Sequence, residues 1–307
     1  MSWFLTTPGG APAGSGQIPC RLTLRGLHGN GNQDFWPPTS LRGRDPLQSH
    51  PSLEWGLKYP PVPGHQSCCQ TQRQAVRLCH RPTPTWTSDP YSEPEPEPLT
   101  PTHPHTRVSR HEYSFVSSEP LGREQYKEMY LFVYRKDVVS VVDTYQYPDP
   151  EDVFSREPFV VKFSAPGCAA RELVLVPLHA APHQAVAEID ALYDVYLDVI
   201  DKWGTDDLVF LGDFNADCSY VRAQDWAAIR LRSSEVFKWL IQDNADTTVG
   251  NSDCAYDRIV VCGSRLRRSL KPQSATVHDF QEEFGLDQTQ ALAISDHFPV
   301  EVTFKSH

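Results

Sequence analysis

Leu208-Val-Phe-Leu-Gly-Asp-Phe-Asn-Ala-Asp-Cys218 is the stretch of sequence that decides the fold. Its four consecutive apolar residues, Leu208 to Leu211, predict a strand buried on both faces, and Gly212 ends the run. Asp213 and Asn215 follow at positions i and i+2, which point to the same side of an extended chain. A strand followed by an Asx turn explains Gly-Asp-x-Asn taken alone. However, the carboxyl end of a central strand is also where α/β sheets carry functional residues.

Two further stretches place acidic residues or histidines beside predicted strands. Leu173-Val-Leu-Val-Pro-Leu-His179 ends on a histidine, and Ser295-Asp-His-Phe-Pro299 precedes another apolar run. Three strands that each deliver Asp, Asn or His at one end are better explained by a shared site than by three coincidences. The sequence therefore predicts a single functional site built from these strand ends.

Length and composition exclude several classes of protein. At 307 residues the chain is long enough for one large domain or two small ones. Its formal net charge of -11 argues against polyanion binding by bulk charge, so a nucleic-acid ligand would need a local basic patch or divalent cations. Eight cysteines are too few for a disulfide scaffold, and no apolar run approaches a membrane span. Residues 1–8 lack the basic start of a signal peptide, so none is expected.

Residues 1–110 differ in composition from the rest of the chain. They hold 18 of the 27 prolines, and their apolar residues show no sustained period. The acidic repeat Ser92-Glu-Pro-Glu-Pro-Glu-Pro98 favours an extended, solvated backbone. We expect this leader to be largely disordered, because it cannot bury enough apolar area to offset the entropy of ordering. Cys68, Cys69 and Cys79 lack partners at zinc-finger spacing and are expected to be free thiols.

From His111 onward the sequence predicts regular structure. Residues 130–135 and 138–143 are β-rich runs separated by Lys136-Asp137, a pattern typical of a hairpin. Further strands are expected at three places: 159–163, 257–262 and 299–304.

Two helices are predicted on the same grounds. Pro182 opens the first, whose apolar positions follow the helical period to Trp203 before Gly204 stops it. Because this helix lies between two predicted strands, it forms a βαβ unit with a parallel strand pair. The second helix is expected over residues 225–240. This order of hairpins and crossovers predicts an α/β fold of packed mixed sheets with helices outside.

The titratable residues at these strand ends have simple explanations when each is taken alone. His179 would be a structural histidine, Glu128 a solvated carboxylate, and Asp257 a partner of Arg258. The Asp296-His297 pair would cap a strand. Taken together, however, they form the set that a phosphodiester hydrolase needs: a base for water, an acid for the leaving oxygen, and oxygen ligands for a hard cation. A soft metal is disfavoured, because no cysteine lies at ligand spacing beside the histidines.

Six motifs occur in order between about Glu112 and the C-terminus: Arg123-Glu-Gln-Tyr-Lys-Glu128, Phe154-Ser-Arg-Glu-Pro158, Pro177-Leu-His-Ala-Ala-Pro182, Gly212-Asp-Phe-Asn-Ala-Asp-Cys218, Cys254-Ala-Tyr-Asp-Arg258 and Ser295-Asp-His-Phe-Pro299. This series resembles the deoxyribonuclease I family. The Cys-Ala-Tyr-Asp-Arg and Arg-Glu-Pro-Phe matches argue against another phosphodiesterase of the wider superfamily.

The resemblance implies two packed mixed β-sheets flanked by helices, and cation-dependent cleavage of double-stranded DNA. By this analogy Glu128 orients His179 and Asp257 orients His297, and the two histidines divide the acid and base roles. Three residues would hold the scissile phosphate and the catalytic Mg²⁺, or Mn²⁺ in its place: Asp213, Asn215 and Asp296.

The resemblance also implies contacts around the catalytic centre. Tyr126, Arg156 and Tyr256 would lie along the DNA, and Cys218 and Cys254 would form a disulfide. A monomer without membrane contacts is expected. Two loops would bind structural Ca²⁺, one through Asp246 and Thr248 and the other through Asp152 and Glu157.

The chain departs from the family in its first 110 residues. No residue there matches the family's opening strand, which carries an Asn near the metal, or the later strand that ends on a metal-binding Glu. We therefore expect a domain over 111–307 that lacks its first strands, behind an unrelated leader. Two functions stay open: a DNA endonuclease, or a catalytically impaired, non-enzymatic remnant of the same fold. Cys168 and Cys262 receive no role from the resemblance.

Overall fold

The strands described in this computed structural model form two six-stranded sheets. The structure describes residues 2–6, 20–25 and 111–307. They belong to one unit that comprises residues 1–32 and 108–307. The acidic Pro repeat and the three leader cysteines predicted to be free thiols lie outside the described residues.

The first sheet takes two of its strands from the leader. Its spatial order is β11 (Thr276–Val277), β12 (Val300–Phe304), β2 (Cys20–Arg25), β1 (Ser2–Thr6), β4 (Leu131–Arg135) and β3 (Tyr113–Ser117). Strand β1 pairs in parallel with β4, and β2 pairs antiparallel with both β1 and β12.

These two leader strands correct the prediction that the domain lacks strands ahead of residue 111. They also correct, for residues 2–6 and 20–25, the prediction of a largely disordered leader. The alternation of apolar and polar residues in Cys20-Arg-Leu-Thr-Leu-Arg25 suits a strand. In addition, β4 and β12 have backbone groups that need partners, and the leader strands supply them.

The second sheet carries the predicted buried strands. Its spatial order is β5 (Ser140–Gln146), β6 (Phe159–Ala165), β7 (Arg171–His179), β8 (Leu208–Asp213), β10 (Asp257–Val261) and β9 (Lys238–Trp239). Every residue of β8 and β10 is buried, as expected for central strands covered on both faces.

The predicted βαβ unit is confirmed. After a 3₁₀ turn at Pro182–Gln184, helix α1 (Ala185–Trp203) connects β7 to β8, which are parallel. Gly204 ends the helix in the left-handed conformation, where its N–H donates to the Ile200 carbonyl. No helix in the described part of the chain is long and apolar enough to span a membrane. The remaining helices are short: α2 (Arg230–Ser233), α3 (Ser264–Ser269), α4 (Phe280–Glu283) and α5 (Gln288–Ile294).

Two apolar clusters hold the layers together. Phe132 of the first sheet packs edge-on against Phe163 of the second, with ring centroids 6.2 Å apart, inside a core shared by both sheets. On the other face of the second sheet, Ile189 and Leu192 of α1 are fully buried in a separate cluster with Phe210. The predicted α/β architecture of two packed mixed sheets with helices outside is therefore confirmed.

The predicted hairpin at 130–143 is wrong. Strand β4 pairs with β1 and β3 in the first sheet, whereas β5 pairs with β6 in the second. The Arg135 carbonyl accepts hydrogen bonds from the N–H groups of Val138 and Val139, and Val139 is buried in the core between the sheets. The connection thus carries the chain from one sheet to the other, although its sequence resembles a hairpin loop.

The predicted helix over residues 225–240 is also wrong. This segment contains a 3₁₀ turn at Trp226–Ala228, the short helix α2, and strand β9. The rings of Trp226 and Trp239 pack at right angles, 5.4 Å apart, and Arg230 binds Asp190 of helix α1. These tertiary contacts fix a shape that the local apolar pattern does not indicate.

A disulfide joins the leader to the body of the domain. Cys20 of β2 and Cys168, in the turn after β6, are bonded across a sequence separation of 148 residues. Cys168, which the sequence left without a role, therefore anchors strand β2. Cys262 is a buried free thiol.

We predict that Cys168→Ser lowers the free energy of unfolding by about 5 kcal/mol, because the chain-entropy model relates the stabilisation to the length of the closed loop. Cys254→Ser, which opens a loop of 36 residues, is the matched comparison and should cost about 4 kcal/mol. Urea denaturation of each variant measures the difference. Peptide mapping without reductant should recover a Cys20–Cys168 cross-link, and its absence would contradict the assignment.

Candidate active site

Three neighbouring strands of the second sheet align their polar ends in one row. The parallel pairing of β7 and β8 sets His179 opposite Asp213, and the antiparallel pairing of β8 and β10 sets Asp213 opposite Asp257. Paired strands lie about 4.8 Å apart, so backbone pairing alone brings the three side chains close together. This pairing depends on Gly212, where an added Cβ would lie 1.7 Å from the Leu178 carbonyl oxygen.

Each of the two predicted histidines is bound to its own carboxylate. His179 Nδ1 lies 2.6 Å from Glu128 Oε2, and His297 Nδ1 lies 2.5 Å from Asp257 Oδ2. The other ring nitrogens converge, because the two Nε2 atoms lie 3.7 and 3.9 Å from the same oxygen, Asp213 Oδ2. The structure therefore brings together all four residues predicted to be catalytic, around one predicted metal ligand.

Arg156 contacts both members of the Glu128–His179 pair. Its guanidinium lies 2.9 Å from Glu128 Oε1 and donates to the His179 carbonyl at 2.8 Å. Burial raises the pKa of Glu128, but the hydrogen bond and charge of His179 and the charge of Arg156 outweigh it and lower that pKa to about 2. Glu128 is therefore a carboxylate throughout the neutral range.

The second pair is more deeply buried. Asp257 is fully buried, which raises its pKa, and its backbone N–H donates to the Thr247 hydroxyl. Burial lowers the pKa of His297, but the charge and hydrogen bond of Asp257, with the charges of Asp213 and Asp296, raise it to about 10. His297 is thus held as an imidazolium at neutral pH.

The predicted cation ligands lie in different surroundings. The extended chain ends at Asp213, whose Oδ1 accepts the Asn215 N–H at 2.9 Å in an Asx turn. Asn215 has a φ of 49°, and its side-chain amide donates to the Ala180 carbonyl, so Asp213 and Asn215 are not on one extended strand. The side chain of Asp296 is exposed. Among the described residues, no three His, Cys, Asp or Glu side chains form a group that could hold a metal ion.

Comparison with known proteins assigns the sequence to a family. Residues 72–297 match the endonuclease/exonuclease/phosphatase family. The chain belongs to that family. The match covers more than half of the chain and includes every strand of the row described above.

Individual members of the family are similar over a shorter region. Human Deoxyribonuclease-1-like 2 is 83% identical over 220 residues, which cover 65% of this chain and 74% of that protein. The mouse protein of the same name is 85% identical over 201 residues, covering 66% of this chain and 72% of that protein. Chicken Deoxyribonuclease-1 is 59% identical over 204 residues, covering 65% and 72%. The resemblance to the deoxyribonuclease I family is therefore confirmed.

The predicted calcium residues occupy two separate loops of this family member. Asp246 Oδ1 accepts from the N–H and hydroxyl of Thr248, at 2.9 and 2.8 Å, and borders a cavity of about 670 Å³. In the other loop Asp152 forms a salt bridge with Arg123 at 3.3 Å, while the Glu157 carbonyl accepts from Gln146. Calcium binding stays a prediction in both loops.

The predicted disulfide is confirmed, since Cys218 and Cys254 are bonded with Cα atoms 5.9 Å apart. The predicted DNA contacts differ in placement. Tyr126 is 71% exposed, whereas Tyr256 lies 6.1 Å from the His297 ring. Arg156 binds the Glu128 carboxylate and the His179 carbonyl.

Several supporting residues were missed by the sequence analysis. The buried Tyr130 hydroxyl accepts the His179 N–H and donates to the Arg156 carbonyl, both at 3.1 Å. Arg258 does not pair with Asp257; its fully buried guanidinium binds Asp243 at 2.8 Å and several carbonyls. These contacts join residues far apart in sequence, and no local pattern indicates them.

We predict that Glu128→Gln destabilises the protein at pH 7 by about 1–2 kcal/mol, a figure reduced for solvent screening of a partly exposed carboxylate. Because the pKa of Glu128 falls on folding from 4.5 to about 2, its contribution is complete above pH 4.5 and is lost as the pH falls towards 2. Urea denaturation between pH 7 and pH 3 should show the two proteins converging. The control Glu112→Gln changes an exposed carboxylate and should have little effect at any pH; a difference for Glu128→Gln that is independent of pH would contradict this prediction.

Proposed function

We propose that this chain is a divalent-cation-dependent endonuclease that hydrolyses phosphodiester bonds of double-stranded DNA. The observation that carries the proposal is the convergence of His179 Nε2 and His297 Nε2 on Asp213, with a carboxylate behind each ring. Hydrolysis of a phosphodiester needs a base for the attacking water and an acid for the leaving oxygen. The names of the similar proteins support DNA as the substrate.

The two histidines differ in environment, which assigns their roles within this proposal. His297 has a pKa raised to about 10 and acts as the acid, donating its proton to the leaving oxygen. His179 acts as the base and takes a proton from water at Nε2. Glu128, which stays ionised, accepts the Nδ1–H of His179 and stabilises the imidazolium that forms.

The residues at the centre fit a weakly held hard cation. Asp213, Asn215 and Asp296 would hold Mg²⁺, or Mn²⁺ in its place, through oxygen atoms, which hard cations prefer. When bound, the cation would stabilise negative charge on the phosphate oxygens. Mg²⁺ binds through one or two carboxylates and keeps several waters, and Asp213 and Asp296 would supply two carboxylates here.

The remaining contacts of the proposal lie around the catalytic centre. Tyr126, Arg156 and Tyr256 would contact the DNA, and the loops of Asp246 with Thr248 and of Asp152 with Glu157 would bind Ca²⁺. The protein is proposed to act as a monomer.

A catalytically impaired protein is the alternative. It is favoured by the absence, among the residues that the structure describes, of any three His, Cys, Asp or Glu side chains grouped to hold a metal ion. In such a protein the fold and the two histidine–carboxylate pairs would be present, but DNA would not be hydrolysed efficiently. The response to cation concentration separates the two functions.

We predict that His179→Ala lowers plasmid nicking by about 100- to 10,000-fold, the usual contribution of a general base. His111→Ala, which changes an exposed histidine paired with Asp137, is the control and should leave nicking unchanged. Circular dichroism shows whether both variants fold. Nicking that survives His179→Ala would rule out the proposed base.

We predict that nicking needs a higher Mg²⁺ concentration than human Deoxyribonuclease-1-like 2 does, and that Mn²⁺ partly restores it. The reason is that no residue of the first 110 matches the family's metal-binding Glu, and a site with one carboxylate fewer binds Mg²⁺ more weakly. Cation titrations of both proteins on the same plasmid measure this. Equal Mg²⁺ dependence would mean that another carboxylate of this chain completes the site, and no nicking at any concentration would favour the impaired protein.

A further inference from the structure

A basic surface is formed by three chain segments that contain no acidic residue. Residues 165–171, 264–275 and 305–307 carry six Arg or Lys side chains and no Asp or Glu. The whole chain has the opposite balance, with 39 acidic residues against 28 basic ones. These segments are therefore a local exception to the negative charge of the protein.

Backbone hydrogen bonds hold the three segments side by side. The N–H of Lys305 donates to the Ser269 carbonyl at 2.7 Å, and the N–H of Lys271 donates to the Thr303 carbonyl at 2.9 Å. On the other side, the Lys305 carbonyl accepts the Ala169 N–H at 2.9 Å. The cations thus belong to one continuous surface.

Most of these cations are available to a ligand. Arg265 forms a salt bridge with Asp207 at 2.9 Å. The other five are exposed, and none of them forms a salt bridge with a carboxylate in the described part of the chain. Two of the five do have other partners, since Arg171 contacts His307 Nε2 and Lys305 Nζ donates to the Arg268 carbonyl at 2.7 Å. We call these five the basic patch: Arg171, Arg267, Arg268, Lys271 and Lys305.

The basic patch lies at the opposite end of the sheets from the catalytic histidines. Arg171 is the first residue of β7 and His179 is the last, so a strand of nine residues separates them. At about 3.3 Å per residue this is roughly 26 Å. Similarly, β12 begins three residues after His297 and ends immediately before Lys305. The patch therefore lies outside the site described above.

We propose that the basic patch binds the backbone phosphates of double-stranded DNA at a second position, away from the bond that is cut. This inference rests on the proposed function, which supplies DNA as the polyanion. Duplex DNA carries one negative charge per roughly 1.7 Å of its axis, which suits a cluster of cations that have no carboxylate partner. An anionic membrane fits less well, because the exposed large apolar side chains of the described residues all lie outside the three segments.

The two positions have different consequences for short and long DNA. A short duplex held at the histidines is stiff and cannot fold back to the patch. A long molecule can reach both positions, and the second contact then benefits from a high effective concentration. The patch thus favours long DNA without contributing to the chemical step.

The test compares two double variants of equal charge change. Arg268→Gln with Lys271→Gln removes two patch cations. Lys136→Gln with Lys202→Gln removes two exposed cations that contact Glu112 and the Tyr145 ring instead. We expect the patch variant to lose several-fold in plasmid nicking while cutting a 12-bp duplex at the same rate as the unmodified protein. The control should retain both activities.

A second measurement is independent of catalysis. Binding of a fluorescent 200-bp fragment in chelator is followed by anisotropy over a range of salt concentrations. Losing two phosphate contacts should reduce the slope of log K against log salt by about 2 in the patch variant only. Equal loss in both variants, no loss in either, or loss of binding to phosphatidylserine vesicles rather than to DNA would overturn the inference. If no variant cuts either substrate, the proposed function fails, while the anisotropy result still decides the role of the patch.

Discussion

The parallel pairing of β7 with β8 is the constraint on which the rest of the site depends. Its register sets His179 beside Asp213, and β10 continues the same row with Asp257. Hydrogen bonds extend this order beyond the strand ends, since the N–H of Ala180 donates to the Asp213 carbonyl. His297, three residues ahead of β12 of the first sheet, then binds Asp257, and Glu128, three residues ahead of β4, binds His179.

The two histidine pairs use the same contact in different surroundings. Glu128 is partly exposed, and its carboxylate is stabilised by two partners, the Arg156 guanidinium and the His179 ring. Asp257 is fully buried, and His297 is the charged group nearest to it. A buried carboxylate without a cation is costly, which explains the strongly raised pKa of His297. This asymmetry is the physical basis for giving the two rings opposite roles in the proposed reaction.

Sequence reasoning predicted the elements whose cause is local. The apolar run before Gly212 and the periodic helix from Pro182 to Trp203 are examples, because burial on two faces and amphipathic packing leave a clear pattern. The histidine and carboxylate residues of the site followed from motifs. The structures of residues 130–143 and 225–240 were not predicted from the sequence. The first depends on which sheet each strand joins, and the second depends on the packing of two tryptophans.

The two strands of the leader were missed for a similar reason. High proline content is a property of the segment as a whole, and it concealed two short strands that are stabilised by the edges they complete. Their disulfide partner, Cys168, is distant in sequence and carried no local signal. Likewise, the role of Arg258 depends on carbonyl groups of three separate segments, which only the folded chain brings together.

The close approach at Gly212 also determines how this site can diversify. The main-chain separation of His179, Asp213 and Asp257 is set by strand pairing, so a substitution at one of these positions changes the functional group and leaves the backbone spacing intact. A side chain at position 212 would instead collide with the Leu178 carbonyl and force the two strands apart. Single substitutions can thus change the functional groups of this site one at a time, whereas a change in the distance between the three positions would require a different pairing of the strands.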